Sequence, residues 1–258
     1  MILGMPLAMA AFLAGLFTWA MTASGAAVVF FINNVGRRTT AVLSGLAAGI
    51  MMSASFWSLL LPAKEMCEQE GRSPLPALGA GFLCGGFFIV LSGLFFERLD
   101  KSGMGFHPGS EMKTRSALIV LAITMHNMPE GLAMGVALGA AASRPELLPA
   151  ALVLVLGIGM QDIPEGSAVA LPLRRDGHSR LKCFFIGQLS AVVEPAAAVA
   201  GALIAVSGIL PFALAFAAGA MVFVVAQELV PEAVSAPKIG VCALMAGFTL
   251  MTMLDVAF

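Results

Sequence analysis

The amino-acid sequence predicts an all-α, polytopic membrane protein with eight transmembrane helices in one domain spanning residues 1–258. Three observations predict it. Of the 258 residues, 59% are hydrophobic and 11% charged, with a mean hydropathy of +0.96. A soluble domain carries about a quarter charged residues, so the expected solvent is lipid. The apolar residues fall in long runs, each near the ~20 residues a helix needs to cross the hydrocarbon core. The lysines and arginines are then distributed unequally between the two sides of those runs, as in proteins inserted with one orientation.

Taken in order, the runs cover residues 4–32, 41–61, 75–96, 116–141, 148–173, 183–206, 210–230 and 239–256. The first lacks a basic leading segment and is too long for a signal peptide, so residues 1–31 are expected to belong to the mature fold. It closes at the polar stretch 33–40. The second closes at 64–72, which carries Lys64 and Arg72. The third leads into the longest polar connection, 97–115, expected to be a cytoplasmic loop. The fourth and fifth runs are separated by 142–146, and the fifth and sixth by 174–182. The remaining breaks differ in character: 207–211 is nearly uncharged, and 232–238 is short.

Short loops rich in lysine and arginine stay cytoplasmic. With eight spans and the N-terminus outside, the inner side holds Arg37, Arg38, Arg98, Lys101, Lys113, Arg115, Arg174, Arg175, Arg180, Lys182 and Lys238. The outer side holds Lys64, Arg72 and Arg144. Both termini are therefore expected outside. The net charge of −1 gives no basic footprint for nucleic acid. Cys67, Cys84, Cys183 and Cys242 are scattered, without a CxxC pair, and do not read as a disulfide framework or a structural metal site.

The fourth run contains "TMHNMPEGLA" and the fifth "MQDIPEGSAV". They place His126, Asn127, Glu130, Gln161, Asp162 and Glu165 deep in apolar surroundings, and the sixth run adds Glu194. A charged group at the bilayer centre costs roughly 3 kcal/mol or more unless paired or hydrated. No lysine or arginine lies deep in any run to pair with these acids. Helical spacing puts His126 and Glu130 on one face, and likewise Gln161 and Glu165, while Asn127 and Asp162 sit three residues before a glutamate. Pro129 and Pro164 each precede a glutamate and clash with the carbonyl four residues back, so each helix is expected to bend there. Gly131 and Gly166 follow and allow close helix approach. Matched polar insets at mid-depth resemble a substrate site built from broken helices of related repeats. A histidine nitrogen among carboxylate and amide oxygens suits a divalent first-row metal. Glu130, Asp162, Glu165 and Glu194 carry four negative charges, which two divalent ions neutralise. Without metal, protons are expected to take the cations' place, and binding to release them.

At these residues the sequence resembles the ZIP family of zinc–iron permeases. The resemblance rests on His126-Asn127-Met128-Pro129-Glu130-Gly131 paired with Gln161-Asp162-Ile163-Pro164-Glu165-Gly166 in adjacent runs, and extends over essentially the whole chain. It implies inverted repeats of spans 1–3 and 6–8 around spans 4 and 5, a homodimer, and a bacterial inner-membrane location. It also implies a binuclear metal centre. His126, Glu130, Gln161 and Glu165 hold the first ion; Asn127, Asp162 and Glu194 complete the second, with the two glutamates shared. A methionine of the second span joins the first site, matched by Met51 or its neighbour Met52. Zinc is the implied cargo, moved into the cytoplasm by alternating access, with cadmium, iron and manganese compatible with the same ligands. The metal is substrate, and no cofactor is implied.

The sequence departs from the family in two places. Gln161-Asp162 stand where many members have histidine or asparagine, and the 97–115 loop offers only His107 where many have a histidine-rich stretch. His107 and His178 read as solvated loop residues. A weak internal echo, "SLLLPAKE" in the second span and "QELVPEAV" in the seventh, fits the repeats, and Glu228 and Glu232 stand near the seventh span's end. Two rival functions differ in kind. An intramembrane metallohydrolase needs a general base and an open metal position, usually from HExxH, and only His126 of the three histidines lies in a run. A proton-coupled carrier of a non-metal solute would use the acids as proton sites only.

Overall fold

The computed structural model describes the backbone of residues 4–31, 36–101, 111–175, 177–205 and 209–257; within these, the side chains of 96, 97, 99–101, 111–126, 168, 172 and 175 lie outside the description. The described residues form eight helical rods and no strand: α1 (Leu7–Phe30), α2 (Arg37–Gln69), α3 (Pro74–Lys101), α4 (Glu111–Ser143), α5 (Leu148–Arg175), α6 (Arg180–Ala205), α7 (Leu210–Ala233) and α8 (Pro237–Ala257). Among the described residues, seven helices are long and apolar enough to cross a membrane. The rod carrying the first inset, α4, is 33 residues long.

Each expected run falls mainly on one rod, but several rods outreach their runs. The stretch beginning at Lys64 is helical as far as Gln69, because Pro62 occupies the first turn of a new segment, where its missing N–H costs nothing. A Lys64–Glu68 ion pair at 2.9 Å then supports the exposed turn. The connection expected over 97–115 is also narrower, since α3 runs to Lys101 and α4 begins at Glu111. His107 and the rest of 102–110 lie outside the described residues.

Helical geometry continues unbroken through Pro129 and Pro164. Apart from the 3-10 turn Ala27–Phe30 that ends α1, the departures from α geometry lie elsewhere: π turns at Ser55–Leu60 in α2 and Val225–Leu229 in α7, and a 3-10 turn at Ser190–Val193 in α6. Each contains the residue whose carbonyl would collide with a following proline. These residues are Ser58 before Pro62, Gln227 before Pro231 and Ala191 before Pro195. Changing the local hydrogen-bond register relieves the clash.

The principal neighbours are α2 with α7 and α8, α3 with α7, α1 with α5 and α6, and α4 with the second half of α6; α4 also meets α5, and contacts of α2 with α5 and of α4 with α7 join the whole. These pairings are unchanged when α1, α2, α3 and α4 are exchanged with α6, α7, α8 and α5. Burial follows the same exchange: the apolar windows of α3 and α8 are each 17% buried, those of α2 and α7 each 61%. Small residues set the close approaches. A Cβ on Gly49 of α2 would lie 2.1 Å from the Leu244 carbonyl oxygen of α8, and one on Gly85 of α3 would lie 2.0 Å from that of Phe216 in α7.

Candidate metal centre

Helices α4, α5 and α6 bring three acids to one point. Single carboxylate oxygens of Glu130, Asp162 and Glu194 lie within 4.8 Å of one another, and all three residues are fully buried. Glu194 reaches this point because the 3-10 turn ends just before it, and Pro195 opens the next helical segment. Helices α4 and α6 meet closely at Gly131, where a Cβ would lie 2.7 Å from both the Ala197 Cβ and the Glu194 carbonyl oxygen. The second inset's Gly166 lies equally tight against α1, its Cβ position 2.1 Å from the Thr22 carbonyl oxygen.

Both insets contribute amides. Asn127 Nδ2 donates to Glu194 Oε1 at 2.6 Å, and Gln161 Nε2 donates to Glu130 Oε1. Each amide thus spends its nitrogen on a carboxylate. Asn127 Oδ1 and Gln161 Oε1 remain buried without a hydrogen-bond partner among the described residues, and both carboxylate oxygens of Asp162 lack one of ordinary geometry, with only the Thr22 hydroxyl nearby. Glu165, one turn beyond Gln161, is 7% exposed and close enough to Asp162 and Glu194 to repel them. No lysine or arginine is buried among the described residues. Buried acceptors that outnumber the donors reaching them, with no buried lysine or arginine among the described residues, make a site that favours a cation.

Other expected residues fall in different settings. The His126 backbone lies in α4 one turn before Glu130, but its side chain lies outside the described residues. Met51 is fully buried in α2, and Met52 is partly exposed. Glu228 lies in the π turn of α7, half-buried, and Glu232 is exposed. His178 sits at the α5–α6 connection, its Nδ1 3.2 Å from Lys182 Nζ, as expected of a solvated loop residue.

One polar contact at the site comes from a helix without an inset. Thr18 of α1, fully buried, donates through Oγ1 to Glu194 Oε2. Its only signal in the sequence is spacing, since Thr18 and the buried Thr22 lie one turn apart on the face that also carries Gly15 and Gly25. One residue on, Trp19 Nε1 donates to the Gln188 backbone carbonyl and side-chain oxygen, each at 2.9 Å, fastening α1 to α6.

A family model described as "ZIP Zinc transporter" matches residues 97–255. The chain is 37% identical to "Zinc transporter ZIP11" of Homo sapiens over 329 aligned positions, covering 95% of this chain and 96% of the relative. It is 38% identical to "Zinc transporter GufA" of Myxococcus xanthus, covering 96% and 98%. It is 36% identical to "Zinc transporter ZIPB" of Bordetella bronchiseptica, covering 96% and 81%.

Proposed function

From the premise that this chain belongs to the ZIP family of metal-ion transporters, we propose that it carries zinc into the cytoplasm through a binuclear centre held by α4, α5 and α6. The observation that carries the reading is the convergence of Glu130, Asp162 and Glu194 where no basic side chain is buried among the described residues. In this reading His126, Glu130, Gln161 and Glu165 bind one ion, with Met51 completing it. Asn127, Asp162 and Glu194 complete the other. The unpartnered oxygens of Asn127, Gln161 and Asp162 supply neutral and anionic donors of the kind such ions accept.

The architecture proposed is eight spans in a bacterial inner membrane, both termini outside, with α1–α3 and α6–α8 as inverted repeats. The exchange symmetry of the helix pairings supports the repeats, as do the π turns placed alike before Pro62 and Pro231. A bundle of α1, α4, α5 and α6 moves against α2, α3, α7 and α8, and the latter group meets a second copy in a homodimer.

Zinc influx into liposomes carrying the purified protein tests the function. Saturable influx by the wild type is expected, with Glu130→Ala and Glu165→Ala reduced to the level of empty liposomes. Robust influx through both variants rules out the shared-ligand centre. Absence of zinc flux from the wild type under any gradient points instead to a carrier that uses the acids as proton sites.

A further inference from the structure

We propose that Thr18 is a positioning residue of the metal centre, its hydroxyl holding the Glu194 carboxylate in the orientation that binds the second ion. The inference rests on the centre proposed above and adds α1 to the helices that shape it.

Glu194 is fully buried, and each of its carboxylate oxygens receives one donor: Asn127 Nδ2 on Oε1 and Thr18 Oγ1 on Oε2. Each oxygen keeps a second lone pair. Two donors from different helices, α4 and α1, therefore fix the carboxylate plane while leaving it able to bind a cation beside Glu130 and Asp162. A hydrogen bond to a charged buried group is among the stronger kinds. Losing the α1 donor leaves the carboxylate half-satisfied and free to turn from the other two acids.

The local sequence is built for this contact. Gly15, one turn before Thr18, packs on the start of the Glu194 segment, where an added Cβ would lie 2.5 Å from Pro195 Cα. Only glycine permits that approach, and the approach brings the next turn of α1 within reach of Glu194. The Gly15 carbonyl, 3.1 Å from Thr18 Oγ1, offers the same hydroxyl a second acceptor within α1. The hydroxyl thus stays satisfied while Glu194 adjusts to an arriving ion.

Zinc titration calorimetry on the purified, detergent-solubilised full chain tests this with Thr18→Val, which keeps the shape and deletes the donor, and Thr18→Ser, which keeps the donor. The wild type is expected to bind two ions. Thr18→Val is expected to weaken one of them about tenfold while leaving the other unchanged, and Thr18→Ser to stay within about twofold of wild type. Thr18→Ala gives the same reading should valine disturb packing. Unchanged affinity in both donorless variants overturns the inference while leaving the metal centre standing, and so does an equal loss in Ser and Val. A wild type that binds no zinc overturns the centre itself, and the role of Thr18 with it.

Discussion

An amide that gives its nitrogen to one carboxylate turns its oxygen toward whatever fills the space beyond. Asn127 and Gln161 both do this, and Asp162 beside Gln161 has only the Thr22 hydroxyl near its oxygens, without a hydrogen bond of ordinary geometry among the described residues. Without metal, Asp162 must either add a negative charge to a cluster that already repels it or take up a proton, and either is costly, so the residue opposes folding and favours a cation. Asp162→Asn is therefore expected to raise the melting temperature of metal-free protein by a few degrees, since it removes a buried uncompensated acid. The same variant is expected to lose at least half of the zinc-induced rise in melting temperature, because stabilisation by a ligand follows its affinity. Thermal melts with and without zinc check both signs. These site residues were legible in the sequence because an acid in an apolar run needs a reason to be there. Thr18 was not, because a membrane threonine ordinarily satisfies itself on a carbonyl three or four residues back, as Thr22 does on Thr18.

At the scale of helices, glycine positions decide which pairs approach closely. Gly135 of α4 faces α6 so tightly that a Cβ would lie 1.9 Å from the Ala198 carbonyl oxygen, whereas Gly93 of α3 has nothing within 4 Å. Gly135→Ala is expected to cost about 3 kcal/mol through forced separation of α4 from α6. Gly93→Ala is expected to be neutral or mildly stabilising, as alanine favours the helix. Melting of the two variants in the same detergent separates packing from propensity. A second device ties α8 to α2: Ser58 Oγ, in the π turn, donates to Asp255 Oδ1 at 2.6 Å, and Ser53, just before that turn, meets Thr252 at 2.8 Å. The all-helical class and the order of the apolar helices were readable from run length and polar breaks. Where the hydrogen-bond register changes was not, because it depends on how neighbouring helices hold the backbone. Pro129 and Pro164 stay within continuous helix, while Pro62, Pro195 and Pro231 follow π or 3-10 turns.

For the whole molecule, the question is which contacts must break during transport. The packing separates α1, α4, α5 and α6, which hold the acids, from α2, α3, α7 and α8, with α2–α5 and α4–α7 as the main faces between them. That partition had almost no trace in the sequence, where only the echo around Pro62 and Pro231 hinted at related halves. It rests on which glycines meet which carbonyls across the bundle. One polar contact crosses the boundary at the end of α2: Arg144, in the turn joining α4 to α5, donates to Gln69 Oε1 at 2.5 Å. Another lies wholly inside the acid-bearing group, where Trp19 of α1 meets Gln188 of α6. Cysteine pairs at these two places, in a background lacking the four native cysteines, give opposite expectations for a moving bundle. Joining positions 69 and 144 with a short reducible cross-linker is expected to stop zinc influx, and reduction to restore it. Joining 19 and 188 is expected to leave at least half of the uncross-linked rate, because those helices travel together. Full flux through the 69–144 cross-link would mean that zinc passes between two groups fixed at their outer rim, as in a channel.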